Sequence, residues 1–177
     1  MKKALILFLM AVSCVSAHAQ LKVDFGSYAF GATASYGTSS NYTNLGAGLV
    51  VHKFFSDHFR AAVYGNYFFE NKKVSMFDFG ADFHYVFPLT KQMGVYPLVG
   101  LGYTKVKMKD VIAPPPGVLV DLGDDYGDEE EGRIHANIGA GYEYYLSPSF
   151  KVFGEVKYHY AKDFDRPVFT VGAAVVW

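Results

Sequence analysis

Between Ser75 and Phe87 the chain reads SMFDFGADFHYVF, and two incompatible chemistries alternate along it with a period of two. Phe77, Phe79, Ala81, Phe83, Tyr85 and Phe87 share one parity; Met76, Asp78, Gly80, Asp82 and His84 share the other. Successive side chains of a strand leave opposite faces, so this segment shows an aromatic wall to one environment and carboxylates to another. Either the charged face meets water and the aromatic face a core, or the aromatic face meets lipid and the charges a closed interior.

The same period runs through the chain after its first two dozen residues, in eight runs of strand character: Val23–Tyr36, Thr43–Phe54, Phe59–Glu70, Ser75–Phe87, Gly94–Lys109, Gly132–Leu146, Phe150–Ala161 and Val168–Trp177. Polar or Gly/Pro/Ser-containing segments separate them, from GTSSNY at Gly37–Tyr42 to SPS at Ser147–Ser149. Pro97 sits awkwardly in the fifth run, because a proline offers no ladder donor and is tolerated mainly near a strand's start. The runs reach about a dozen residues, enough to cross a hydrocarbon core at barrel tilt, which takes ~9–11. Connections after strands two, four and six are short, and the polar or long ones follow strands one, three, five and seven. An even-stranded barrel with both ends on one side has this asymmetry.

The first 19 residues read as a cleaved signal peptide. Lys2 and Lys3 form a basic n-region, Ala4–Val12 an apolar h-region, and Ala17-His18-Ala19 a small-x-small site before Gln20. The apolar run is too short for a membrane anchor, and Ala11-Val12-Ser13 before Cys14 is a poor lipidation site. Residues 20–177 then form one domain. Loss of Cys14 leaves no cysteine, so disulfides cannot stabilise the exported chain. Loss of Lys2 and Lys3 takes the 16 basic residues to 14, against 17 acidic, and no basic patch interleaved with aromatics remains to track a phosphate backbone. Nucleic acid is excluded as a partner.

A soluble lipocalin-like barrel would need an outer face dense in Lys and Glu. Here the polar parities hold mostly Gly, Ala, Asn and His with scattered charges, which suits the interior of a narrow barrel. Tyr85, Phe87, Tyr103, Tyr142, Tyr144, Tyr158 and Tyr160 concentrate toward strand ends, as interfacial girdles do. The expectation is an all-β, eight-stranded antiparallel transmembrane up-and-down β-barrel with its aromatic parity in lipid.

Two short motifs carry a family resemblance. Thr170, Gly172, Val175 and Trp177 resemble the C-terminal insertion signal of outer-membrane proteins, with Trp in place of the usual Phe. Tyr96-Pro97-Leu98-Val99-Gly100-Leu101-Gly102-Tyr103 resembles the fifth-strand motif of the small outer-membrane β-barrel family, the OmpX-like and OmpA-like eight-stranded, porin-like barrels. The resemblance implies a Gram-negative cell-envelope protein, exported to the bacterial outer membrane, inserted by the barrel assembly machinery and embedded in outer-membrane lipid, with no cofactor; a monomer is expected.

The inward parity supplies the candidate site: Arg60, Asp78, Asp82, His84, His135, Asn137, Glu143, Lys151, Glu155, Lys157 and His159, a polar network filling the lumen. Hairpin register about Lys72 sets Arg60 opposite His84 and diagonal to Asp82, from which an Arg60–Asp82 ion pair is expected. About Pro148, Asn137 faces His159 and Lys151 lies diagonal to Glu143. Such charges either plug a narrow lumen or line a pore for small solutes; the plug is the expected reading. Ser75 and His159 lack a convergent acid, so no catalytic site, enzyme activity or metal centre is expected. The connection 110–131, with Asp121, Asp124, Asp125, Asp128, Glu129, Glu130 and Glu131, fails the EF-hand pattern and reads as a solvated acidic loop open to an extracellular ligand.

Overall fold

The computed structural model describes residues 26–39, 43–109, 128–161 and 165–177. Among these there are strands and turns but no helix. The strands are β1 (Tyr28–Thr38), β2 (Thr43–Phe54), β3 (Phe59–Asn71), β4 (Val74–Tyr85), β5 (Phe87–Pro88), β6 (Met93–Lys109), β7 (Asp128–Ser147), β8 (Phe150–Tyr160) and β9 (Arg166–Val176). Each pairs antiparallel with its neighbours in the order β4-β3-β2-β1-β9-β8-β7-β6, and β4 pairs β6 to close the ring. β5 continues the line of β4, so the nine segments make eight staves.

The break between β4 and β5 has a local cause. Leu89 donates to the carbonyl of Met93 at 2.8 Å, which places Phe87 with Val95, and Tyr85 with Pro97, on the hydrogen-bonded parity of that ladder. Pro97 has no N–H to give Tyr85. The pairing stops at His84–Leu98 and resumes in the same register at Phe87–Val95. The proline therefore lies inside β6 rather than at its start, and the ladder yields around it.

Closure follows from the solvent. Lipid cannot satisfy backbone N–H and C=O groups, each costing several kcal/mol, so a spanning sheet has no tolerable edge. The closing ladder runs from Ala29–Val176 to Gly37–Val168. At its foot Tyr28 donates to the Trp177 carbonyl at 2.9 Å and Trp177 donates to that of Tyr28 at 3.0 Å. That rim also carries the turns after β2, β5 and β7. The opposite rim carries the β3–β4 turn, where Lys72 and Lys73 both adopt positive φ (49° and 66°), the geometry of a two-residue hairpin turn matched to strand twist.

Burial alternates along every stave. In β4, Phe77, Phe79 and Phe83 are exposed on the outside, while Asp78, Asp82 and His84 are buried. Leu49, Val63, Val99, Leu101, Ile138, Val156 and Val171 continue the outward apolar band. Rings gather toward its margins: Phe59, Tyr85 and Phe87 in contact at one level (centroids 4.8 and 4.7 Å apart), and Phe77, Phe79 and Tyr103 at the other (6.0 and 5.5 Å). Of the C-terminal motif, Thr170 is buried, Gly172 half-buried, and Val175 and Trp177 exposed on the outside.

Several boundaries differ from the sequence expectation, three of them at strand starts that bear on the site. β1 begins at Tyr28, and Val23–Phe25 lie outside the described residues, as do the signal segment 1–19, the tip 40–42 of the first loop and residues 110–127. β7 begins at Asp128, not Gly132, so the last four acidic residues of the expected loop are strand, their register setting Glu131 beside Val106 and Glu130 beside Lys107. β9 begins at Arg166, two residues before Val168.

Candidate functional site

The inward side chains form layers along the lumen. Nearest the long-loop rim, Phe68, Met76, Val106, Ala161 and Val168 make an apolar layer. Beneath it sits a polar layer centred on Asp78, whose Oδ1 accepts from Thr104 Oγ1 at 3.2 Å and lies 2.9 Å from His135 Nε2. His159 Nδ1 and Arg166 Nη2 stand 3.8 and 3.9 Å from Asp78 Oδ2. The His135 and His159 rings stack at 4.2 Å. Arg166 lies over the Phe68 ring and donates Nη1 to Met76 Sδ at 2.9 Å, joining this layer to the apolar one.

The middle layer is built on Asp82 and Tyr64. Asn137 Nδ2 donates to Asp82 Oδ1 at 2.7 Å and to the Tyr64 hydroxyl at 2.8 Å, and Lys157 Nζ donates to Asp82 Oδ2 at 3.0 Å. Lys157 is also 3.4 Å from Glu155, which accepts from the Tyr96 hydroxyl at 2.9 Å. Space for the Tyr64 hydroxyl exists because Gly80 and Gly102 carry no Cβ; one built there would stand 2.6 and 2.8 Å from that oxygen.

Toward the short-turn rim, Glu143 Oε2 accepts from Arg60 Nη1 and, at 2.8 Å, from Lys151 Nζ. Arg60 Nε donates to His84 Nδ1 at 2.9 Å, and the guanidinium lies 4.3 Å from the Tyr96 ring, on which His84 stacks. His52 fills the remaining space between His84, Phe54 and Phe153.

The registers Arg60–His84 and Asn137–His159 are present, as is the diagonal contact of Lys151 with Glu143. The expected Arg60–Asp82 ion pair is not. Arg60 instead reaches across the lumen to Glu143 on β7, and Asp82 pairs with Lys157 on β8. In a ring of eight staves the far wall lies within one arginine length, so a diagonal neighbour on the same hairpin competes with every other inward side chain. Sequence reasoning passed over Arg166, His52, Tyr64 and Tyr96. Arg166 was lost by starting the last strand after Pro167; the parity of His159, whose register partner it is, could have found it.

Among the described residues the buried charges balance: Arg60, Lys151, Lys157 and Arg166 against Asp78, Asp82, Glu143 and Glu155. A cavity of ≈ 10 Å³, lined by Tyr64, Asn66, Asp82, Glu155 and Lys157 among others, lies inside the network, room for about one water centre. Ser75 is buried but shares the outward parity of Phe77, and neither ring nitrogen of His159 has a hydrogen-bond partner, so the two form no nucleophile–base pair. Asp78, His135 and His159 each offer a ligand atom, all within 4.8 Å of one another.

A sequence profile described as the outer membrane protein beta-barrel domain matches residues 6–176. No curated protein sequence matches the chain. Among solved structures, the N-terminal β-barrel domain of Pseudomonas aeruginosa OprF is similar at TM-score 0.63 and 17% identity, over 86% of this chain and 98% of that one. The attachment invasion locus protein Ail of Yersinia pestis is similar at 0.60 and 16%, over 87% and 100%; another structure of Ail holds the heparin analogue sucrose octasulfate. Neisserial surface protein A is similar at 0.62 and 15%, over 84% and 95%. At these identities the likeness is one of fold: small eight-stranded barrels of the outer membrane.

Proposed function

Since the chain belongs to the outer membrane protein beta-barrel domain family, and is thereby a bacterial outer-membrane barrel, we propose that it is a non-enzymatic barrel with a packed polar lumen. Its role is structural or surface-interacting, exercised through the loops at its outer rim. The observation that carries this reading is the set of cross-lumen contacts, Arg60–Glu143–Lys151 above the short turns and Asn137–Asp82–Lys157 in the middle. A solute would have to part them, and each parted pair leaves a buried charge without its partner.

The partners follow from the same reading. A signal peptide ending at Ala19 delivers the chain, the assembly machinery inserts it through the Thr170–Trp177 motif, and the monomer rests in lipid on its aromatic margins. The surface ligand is contacted by the acidic connection 110–131. Ail has been seen with a sulfated sugar; the carboxylates from Asp121 to Glu131 would repel such an anion, so a cationic partner is the better fit.

Planar-bilayer recording tests the central claim. The purified barrel should give no steady conductance in salt. Reproducible steps that enlarge on Arg60→Ala would sink the packed lumen in favour of a narrow channel for small solutes.

A further inference from the structure

The layer around Asp78 holds buried polar atoms that no protein group satisfies, and they have chemical content. Asn137 gives both amide protons away, to Asp82 and to Tyr64. Its Oδ1 is therefore an acceptor, and His135 Nδ1, 2.7 Å from it, must be the donor of that contact. The other ring nitrogen, Nε2, stands 2.9 Å from Asp78 Oδ1. At that distance a proton or a metal ion lies between the two atoms.

The neighbouring orphans favour the metal. Asp78 Oδ2 and both ring nitrogens of His159 are buried without a hydrogen-bond partner, and His159 is 2% exposed. Nδ1 of His159 stands 3.8 Å from Asp78 Oδ2. A buried polar atom with no partner calls for an unseen ion or water, and here the ligand atoms of Asp78, His135 and His159 lie within 4.8 Å of one another. His135 Nε2 is 2.9 Å from one Asp78 oxygen and His159 Nδ1 is 3.8 Å from the other, on either side of the ~3.3 Å ligand–ligand edge of a tetrahedral site with bonds of ~2.0–2.1 Å. The second layer is also in place: His135 donates its remote N–H to the Asn137 carbonyl, and Thr104 donates to Asp78, contacts that orient metal-binding imidazoles and carboxylates.

We infer that Asp78, His135 and His159 form a binding site for a single divalent transition metal ion, of the zinc or copper class, inside the barrel. Two imidazoles and a carboxylate suit that class over calcium or magnesium. The stacked rings of His135 and His159 must turn for both to point at one ion; His159 breaks no hydrogen bond in doing so. The buried charges already balance, so the ion is surplus charge, and Arg166, 3.9 Å from Asp78 Oδ2, is its nearest competitor. Phe68, Met76 and Val106 close the lumen above the site, so the ion is taken up as the barrel folds and exchanges slowly afterwards.

The test refolds the full chain in detergent micelles with zinc chloride, removes free metal over a chelating column, and counts retained zinc by mass spectrometry. Folding is verified by heat-modifiable migration on gels. The parent should retain about one zinc per chain. The folded His135→Gln and His159→Gln variants should bind at least about tenfold more weakly, and Arg166→Gln more tightly than the parent. Cobalt should give the visible bands of a tetrahedral site. A folded parent that keeps no zinc, histidine variants that keep as much as the parent, or protons on both nitrogens of His135 by NMR in excess zinc would each overturn the inference.

Discussion

Replacing Glu143 with Gln should be among the most damaging single-atom changes available to this barrel. The carboxylate serves two cations at once, Arg60 and Lys151, and all three side chains are at most 1% exposed. Removing one member of a buried pair costs about 3–5 kcal/mol, because the surviving charge is left in a poor solvent. The contacts of Arg60 with Tyr96 and of Lys151 with the Phe54 ring, 5.1 Å away, exist before and after the change and offset none of the loss. Taking about 4 kcal/mol, at about 1.4 kcal/mol per decade, the folded-to-unfolded ratio falls nearly a thousandfold. Urea unfolding in lipid vesicles reads this directly through the single tryptophan, Trp177, which lies exposed on the lipid side. With a slope of about 2 kcal/mol per molar, the midpoint should drop by roughly 2 M. The triple change Arg60→Met, Glu143→Leu, Lys151→Met should restore most of it, since an apolar replacement of similar volume has no charge to strand. A Glu143→Gln barrel melting within about 0.3 M of the parent would refute the reasoning. A triple variant as weak as the single one would show that packing, not charge, sets the cost.

Two further outcomes follow from the walls. Phe83→Arg places a charge on an outward position that is 63% exposed, which should cost about 2–4 kcal/mol near the midplane and reduce the heat-modifiable, inserted fraction in vesicles; full insertion at parental stability would contradict the lipid-facing assignment. Pro97→Ala supplies the missing donor opposite Tyr85, so the new amide should exchange as slowly as its neighbours Leu98 and Val99, with a gain of about 0.5–1.5 kcal/mol. Exchange as fast as a turn amide would mean that the β4–β5 break has another cause.

The period-two pattern made most of the fold legible because each stave meets two solvents and its residues must sort between them. Phe77, Phe79 and Phe83 against Asp78, Asp82 and His84 needed only that rule. Hairpin register was legible too, since short turns tie Arg60 to His84 and Asn137 to His159. Contacts across the lumen were not, because they depend on the shear of the closed ring, and no adjacent pair of staves encodes it. Hence Arg60 was matched with Asp82 when its partner is Glu143, 83 residues away. Arg166 went unseen for a different reason: Pro167 looked like a boundary, whereas at the beginning of a stave its absent donor is harmless.

The seam between β1 and β9 joins residues as far apart as Ala29 and Val176. Contacts of such sequence separation are the slowest to form, because the loop entropy of nearly the whole chain is lost before any of them is gained. Until the last stave is added, no ring can exist, and two unpaired strand edges remain open to any other chain. Yet Tyr28 and Trp177 are hydrogen-bonded neighbours in the finished object, which has no first stave and no last one. The order of the staves along the chain is thus a schedule for assembly that the final geometry does not preserve.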